Sequence, residues 1–89
     1  MLREQVEIIN KLGMHARAAA KFVTLAQTFI SDIKVERNGQ QVNGKSIMGV
    51  MMLAASKGTT IELVIDGVDE QQAKEHLVQL INNRFDETE

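Results

Sequence analysis

The sequence contains no cysteine, proline, tryptophan or tyrosine, and its only aromatic residues are three phenylalanines. The absence of cysteine excludes disulfide bonds and thiolate metal ligands. It is also typical of a reducing compartment, and because the first residues form no apolar leader we expect a cytoplasmic location. No stretch approaches the roughly 18 apolar residues of a transmembrane helix, so membrane insertion is not expected.

Charge and aromatic content argue against nucleic-acid binding. The chain has 12 acidic and 10 basic residues, a formal net charge of -2, whereas nucleic-acid binding requires a basic surface and usually stacking aromatic rings. We therefore expect no nucleic-acid partner. The length of 89 residues and the hydrophobic content of 44% suit one domain, residues 1–89, with a modest core.

Hydrophobic periodicity and turn residues predict alternating strands and helices along the chain. The predicted strands are 5–10, 32–37, 40–42 and 60–65. The predicted helices are 16–27, a second from the N-cap Ser46 to 54 or 55, and a third that Asp69 opens with Gln72 in a capping-box spacing. This βαββαβα order predicts an α+β fold with helices on one face of a largely antiparallel sheet and the other face open. The last four residues, 86–89, are expected to fray.

His15 lies at the predicted junction between the first strand and the first helix, where Gly13 permits a sharp turn. A helix start presents backbone N–H groups without intrahelical acceptors, and these groups with the helix dipole favour an anion. A neutral imidazole at such a place is a nucleophile that can take a phosphoryl group. Arg17 supports this interpretation, because a cation at a helix start is unfavourable unless an anion shares the site. We therefore predict that His15 carries a phosphoryl group that Arg17 helps to bind.

Other roles for the histidines fit the sequence less well. The second histidine, His76, lies in the predicted third helix. Without cysteine or an HExxH motif no metal site is expected, and no arrangement of serine, histidine and carboxylate suggests a catalytic triad. We interpret His76 as a partly solvated helix residue.

The helix predicted after Ser46 has almost no polar face, although a short helix buries only one side. Its core-facing side is predicted to consist of Ile47, Val50 and Ala54, and its exposed side of Met48, Met51 and Met52. Exposed methionines are typical of surfaces that accept several partners; coverage by loops or by the first helix is an equal alternative. Ser46 is either a plain N-cap or a site where a phosphate is tolerated at the helix end. Lys57-Gly58 is expected to end this helix.

Two segments resemble the signature motifs of the HPr family, the histidine-containing phosphocarrier proteins of the bacterial phosphoenolpyruvate-dependent sugar phosphotransferase system. They are Gly13-Met14-His15-Ala16-Arg17 and Lys45-Ser46-Ile47-Met48-Gly49-Val50-Met51, and they stand in the family's order and spacing. The resemblance spans nearly the whole chain. It implies an open-faced β-sandwich with a four-stranded antiparallel sheet and three helices on one side. It also implies a carrier without enzymatic turnover of its own and without a cofactor, and we expect a monomer.

The resemblance assigns roles to individual residues. His15 is implied to accept a phosphoryl group on Nδ1 from enzyme I and to pass it to IIA components, with Arg17 as its companion. Ser46 matches the serine that HPr kinase/phosphorylase modifies in lineages that have this enzyme. The implied docking surface for enzyme I and IIA components contains Ile47, Met48 and Met51, and we add Met52 to it.

One position departs from the family, which usually has proline directly after the active-site arginine. Here that position is Ala18. Proline fixes φ and lacks an N–H, so we expect Ala18 to make the helix start less rigid while adding a backbone donor.

Three alternative functions stay open on the sequence alone. A carrier of the nitrogen-related branch would regulate metabolism or potassium handling, although Ser46 and its flanks favour the sugar branch or a regulatory hybrid. A regulatory domain would bind a partner through its methionines and leave His15 silent. A ferredoxin-like ligand-binding or RNA-binding domain would need a basic or aromatic sheet face, which this sequence lacks.

Overall fold

The computed structural model describes residues 1–89, which form four strands and three α-helices in the predicted order. The strands are β1 (Leu2–Glu7), β2 (Asp32–Arg37), β3 (Gln40–Asn43) and β4 (Thr60–Asp66). The α-helices are α1 (Ala16–Ala26), α2 (Ile47–Met52) and α3 (Glu70–Asn82), and a short 3₁₀ turn at Arg84–Asp86 follows. None of these helices has the length and apolar character needed to cross a membrane.

The strands form one antiparallel sheet in the order β1-β4-β2-β3. In β4 the side chains of Ile61, Leu63 and Ile65 are buried, because every second residue of a strand points to the same face. The opposite face carries charged side chains, among them Arg3, which donates to Glu62 at 2.8 Å. The predicted α+β open-faced sandwich is confirmed.

The apolar stripes of α1 and α3 complete the core against this sheet. In α1 the predicted stripe is buried in full, namely Ala19, Phe22, Val23 and Ala26. In α3 the buried residues are Ala73, Leu77 and Ile81, whereas Leu80 is only partly buried. Phe85, beyond α3, is completely buried as well.

The first strand lies earlier in the chain than predicted, at Leu2–Glu7 rather than 5–10. Its limits follow from pairing, since Leu2 lies opposite Ile65 and Glu7 opposite Thr60. Ile8 still exchanges backbone hydrogen bonds with the segment before β4, but the chain then turns away from the sheet. Of the β-branched pair at positions 8 and 9, Ile8 is completely buried and Ile9 is only partly so, and neither belongs to the strand.

Helix α2 ends at Met52 and not at the predicted 54 or 55. Ala54 has a φ of 50°, which breaks the helix, and it is exposed instead of facing the core. The guanidinium of Arg37 donates to the carbonyl oxygens of Leu53 at 2.7 Å and of Ala54 at 3.2 Å. These bonds satisfy carbonyls that the helix end leaves free, so Lys57-Gly58 is not needed as the cap.

Asp69 does not form the predicted capping box with Gln72. Its carboxylate instead accepts hydrogen bonds from the Ser31 hydroxyl and from the N–H groups of Ile30 at 2.9 Å and Ser31 at 3.0 Å. The Ser31 hydroxyl and these backbone donors hold the pKa of Asp69 below its ordinary value. The side chain therefore ties the start of α3 to the loop before β2.

Candidate functional site

His15 is the N-cap residue of α1, and its side chain performs the capping. The backbone is extended, with φ of -76° and ψ of -180°, and Nδ1 accepts a hydrogen bond from the Arg17 N–H at 3.3 Å. The accepting Nδ1 therefore carries a lone pair, not a proton. A bond of this length is weak, and an anion at the helix start can replace it.

The chain reaches this cap through a tight turn at Gly13. Gly13 has a φ of 68°, and a Cβ on it would lie 2.6 Å from the Ala55 carbonyl oxygen and 2.8 Å from the Ser56 Cα. The Met14 N–H donates to the same Ala55 oxygen at 2.8 Å. Only glycine fits between these neighbours, and the close packing fixes where His15 enters α1.

The first turn of α1 offers backbone donors near the imidazole. The N–H groups of Ala16 and Ala18 have no acceptor, and that of Arg17 has only the long bond to His15. Ala16 and Arg17 are exposed, whereas Ala18 is completely buried. An anion at Nδ1 can therefore use the first two N–H groups, but the donor expected at Ala18 is not accessible.

The Arg17 side chain is exposed and lines an open cleft together with His15. The cleft is also lined by Ala16, by Lys11 and Leu12, and by the last three residues of the chain. The Arg17 guanidinium forms no hydrogen bond or ion pair inside the protein, unlike the guanidiniums of Arg3 and Arg37. The structure thus places a free cation in the cleft that holds the nucleophile predicted from the sequence.

The last residues of the chain fold over this cleft and do not fray as predicted. The Glu87 carboxylate accepts a hydrogen bond from His15 Nε2 and a second from Asn10 Nδ2 at 3.0 Å. Burial alone would raise the pKa of Glu87, but the hydrogen bonds from His15 and Asn10 and the nearby positive charge outweigh it and lower the pKa. Glu87 is therefore a carboxylate beside the imidazole.

Sequence reasoning missed both Asn10 and Glu87 as members of this site. Asn10 is completely buried, and its Nδ2 also donates to the Gly13 carbonyl at 2.8 Å. One signal could have found the pair, namely Phe85, a lone aromatic residue before an acidic segment. A large apolar side chain in that position predicts an anchor that brings its polar neighbours onto the protein.

Ser46 caps α2 as predicted, with its Oγ accepting from the Gly49 N–H at 3.1 Å. Of the three residues predicted to face the core, only Val50 does so, and Ile47 is 42% exposed. Met48, Met51 and Met52 are 74%, 39% and 66% exposed. These methionines and Ile47 together form an uncovered apolar patch, which we name the α2 surface.

Comparison with known proteins identifies the family. Residues 2–83 match the family model described as the PTS HPr component phosphorylation site. The chain belongs to the PTS HPr family. Phosphocarrier protein HPr of Cupriavidus necator is 58% identical to it over 89 residues, which are 100% of both chains. Members of the HPr family are carriers of the phosphotransferase system, so this chain is a phosphocarrier and not an enzyme.

Solved HPr structures confirm the fold. The crystal structure of HPr-C-His from Thermoanaerobacter tengcongensis superposes with a TM-score of 0.96 at 46% identity, and the match covers 100% of both chains. A structure of an HPr dimer from the same organism gives a TM-score of 0.79 at 47% identity, covering 98% of this chain and 100% of that one. The resemblance inferred from the two motifs is thus confirmed over the whole HPr fold.

The second histidine of this HPr chain stands apart from the cleft. His76 is exposed on α3, its Nδ1 lies 2.8 Å from the Gln72 carbonyl oxygen, and its ring centroid is 5.7 Å from that of Phe29. No group of three or more histidine, aspartate or glutamate side chains is arranged to hold a metal ion. His76 is the partly solvated helix residue that the sequence predicted.

Proposed function

We propose that His15 accepts the phosphoryl group on Nδ1 from enzyme I and passes it to IIA components of the sugar phosphotransferase system. The observation that carries this proposal is the setting of Nδ1. It holds a lone pair at the N-terminus of an eleven-residue helix, where its only hydrogen bond is the long one from the Arg17 N–H. A nucleophile and an anion-binding helix end therefore coincide in one open cleft.

The transfer step follows from this arrangement. The Nδ1 lone pair attacks the phosphorus of the donor, an N–P bond forms, and the bond from phosphorus to the donor breaks with its electron pair leaving on the donor. The Arg17 N–H then donates to a phosphoryl oxygen in place of Nδ1, and the Arg17 guanidinium adds a charge-assisted contact. Onward transfer to a IIA component is the same displacement with Nδ1 as the leaving atom.

The partners are proposed to dock on the α2 surface. Four exposed apolar side chains on one short helix are unusual for a small protein without a partner. This helix packs beside α1, which His15 caps, so a partner seated there lies close to the cleft. Phosphorylation of Ser46 by HPr kinase/phosphorylase would place negative charge at the edge of this surface and weaken docking.

We further propose that residues 1–89 act as one HPr-like domain, as a monomer in the cytoplasm. Support for the monomer is that 20 buried apolar residues form a single core within one copy. Light scattering coupled to size-exclusion chromatography tests this, and a mass of two chains would contradict it.

The proposal is tested by incubating the protein with phosphoenolpyruvate and enzyme I. We expect an acid-labile phosphate on the wild type and on His76→Ala, and none on His15→Ala. Addition of a IIA component should then remove the label. Failure of the wild type to accept phosphate, or a label that persists in His15→Ala, would reject His15 as the acceptor.

Docking is tested with two substitutions of exposed apolar residues. Met48→Ser lies within the α2 surface, and Val68→Ser, at a residue 88% exposed in the loop before α3, is the matched control. We expect Met48→Ser to raise the KM of enzyme I for the carrier and Val68→Ser to leave it unchanged. Equal KM values for both variants would exclude this surface.

A further inference from the structure

We propose that Glu87 is a positioning residue of the phosphorylation site. Its carboxylate keeps the His15 proton on Nε2, so that Nδ1 is the nitrogen left to attack, and it faces the positive charge that the ring gains on phosphorylation. This inference rests on the proposed function and deepens it, because it names what selects the reacting nitrogen.

The two ring nitrogens of His15 have different partners. Nε2 faces the Glu87 carboxylate, which can only accept a hydrogen bond, whereas Nδ1 faces the Arg17 N–H, which can only donate one. A neutral imidazole has one N–H and one lone pair, and only the tautomer with the proton on Nε2 satisfies both neighbours. The side chains of His15 and Glu87 are only 28% and 19% exposed, so water competes little for this bond.

Glu87 is itself held in place by the turn that leads to His15. One carboxylate oxygen accepts from His15, and the other accepts from the buried Asn10, whose Nδ2 also donates to the Gly13 carbonyl. Asn10 therefore links the carboxylate to the tight turn that fixes the start of α1. Both oxygens have a donor, which restricts the rotation of the carboxylate.

The segment that carries Glu87 is docked through several independent contacts. Phe85 is completely buried, and Lys21 Nζ donates to its carbonyl oxygen at 2.9 Å. The Lys11 N–H donates to the backbone oxygen of Glu89 at 2.6 Å. The three residues of the 3₁₀ turn have φ values of 57°, 52° and 64°, which non-glycine residues rarely adopt. Such a backbone persists only where its surroundings enforce it, so the position of Glu87 is built into the fold.

The charge balance of the reaction shows what Glu87 contributes. When the N–P bond forms at Nδ1, the Nε2 proton stays on the ring, and the ring acquires a positive charge. The Glu87 carboxylate already accepts from Nε2, so the bond becomes charge-assisted and strengthens without rearrangement. The phosphoryl group is on the opposite side of the ring, next to Arg17 and the helix start, so the ring cation lies between the two anionic groups.

The test compares Glu87→Gln with Glu89→Gln. Both changes remove one negative charge from the same cleft, but Glu89 has no contact with His15 and lies 3.8 Å from Lys11 Nζ. The ring nitrogens of His15 are first observed by ¹⁵N NMR on the unphosphorylated proteins. We expect the wild type and Glu89→Gln to hold the proton on Nε2, and Glu87→Gln to show an increased fraction protonated on Nδ1.

The second measurement is the rate at which enzyme I phosphorylates each variant at saturating and limiting carrier concentrations. We expect Glu87→Gln to lower kcat about threefold to tenfold, because a charge-assisted bond is replaced by a neutral one, with little change in KM. Glu87→Asp, which keeps the charge, should recover part of the loss. An unchanged tautomer or an unchanged or higher kcat in Glu87→Gln would overturn the proposal, as would an equal loss in Glu89→Gln. These outcomes are separate from the acceptor test, since only His15→Ala decides whether His15 takes the phosphate.

Discussion

Replacing Phe85 with alanine is expected to release the end of the chain from the His15 cleft. The Phe85 ring is completely buried in the core, yet the residues on both sides of it are exposed. It is therefore the only apolar anchor of the segment that brings Glu87 to the imidazole. The question is whether the remaining contacts hold this segment without the ring.

The free energies of these contacts indicate that they do not hold the segment in place by themselves. The three left-handed residues of the 3₁₀ turn cost about 1–2 kcal/mol each, roughly 3–6 kcal/mol together. The hydrogen bonds that His15, Asn10, Lys21 and Lys11 donate to this segment contribute about 1 kcal/mol each, so they roughly offset this strain. Burial of the ring, worth about 3–5 kcal/mol by comparison with other Phe→Ala changes, then decides the docked state.

We expect Phe85→Ala to lower the free energy of unfolding by about 3 kcal/mol, at the low end of that range, because a chain end can detach and relax its backbone. Phe22→Ala is the matched control, since Phe22 is also completely buried but lies within α1. Its loss should approach about 5 kcal/mol, because the surrounding helix cannot move away. Urea unfolding measures both values.

Hydrogen exchange of the Lys11 amide reports the docking directly, because this N–H donates to the backbone oxygen of Glu89. We expect fast exchange in Phe85→Ala and slow exchange in the wild type and in Phe22→Ala under conditions where both stay folded. A protected Lys11 amide in Phe85→Ala would contradict this prediction, because it would show that the polar contacts hold the segment and outweigh the strain of its backbone.

Three further predictions concern single side chains. Ser46→Ala should lower the free energy of unfolding by about 1 kcal/mol in urea, because it removes the N-cap bond to Gly49. Folding lowers the pKa of Asp69, so this carboxylate stabilises the protein fully above the ordinary pKa of 3.8, and the stabilisation is lost as the pH falls through the lower pKa of the folded state. The thermal midpoint of Asp69→Asn should therefore vary less over this acid range than that of the wild type. Ala18→Pro should still accept phosphate from enzyme I, because the Ala18 N–H has no acceptor and lies in the first helical turn.

Each of these three predictions has a control variant or an outcome that would contradict it. The control for Ser46→Ala is Ser56→Ala, which removes an exposed hydroxyl whose only hydrogen bond is with Thr59 at 3.4 Å. It should change the free energy of unfolding by less than about 0.5 kcal/mol. Parallel acid profiles for the wild type and Asp69→Asn would contradict the role of that carboxylate. A folded Ala18→Pro variant that no longer accepts phosphate would show that the Ala18 N–H is needed at the helix start.

Elements whose signals are local were predicted to within one residue of their limits, since β3 ends at Asn43 and not at 42 and α1 ends at Ala26 and not at 27. The hairpin between β2 and β3 turns at Asn38-Gly39, and both residues have positive φ, 52° and 82°, as a two-residue turn of this type requires. The Ser46 cap and the buried stripe of α1 likewise depend on residues a few positions apart. Such contacts form within one segment, so the segment alone contains the information.

Features of the helices that depend on residues far away in the sequence were predicted less well. Helix α2 stops early where the Arg37 guanidinium, 16 residues before Leu53, takes the carbonyl oxygens of the last turn. Asp69 resembles a helix cap in the sequence, but it binds Ser31, 38 residues earlier. In both cases a charged side chain offers stronger hydrogen bonds than the local alternative, and no periodicity reports such a competition.

The residues of the candidate site likewise include some that are close in the sequence and one that is distant. His15 and Arg17 lie in one short segment, and the helix start they share is readable from that segment. Glu87 is 72 residues from His15 and 77 from Asn10, and in the sequence it is one of several acidic residues at the end of the chain. The motif therefore indicates His15 as the proposed acceptor, and the Arg17 N–H that faces Nδ1 belongs to the same segment. The carboxylate at Nε2 is brought there only by the folded chain, so under our proposal the choice of reacting nitrogen depends on tertiary structure as well as on the local segment.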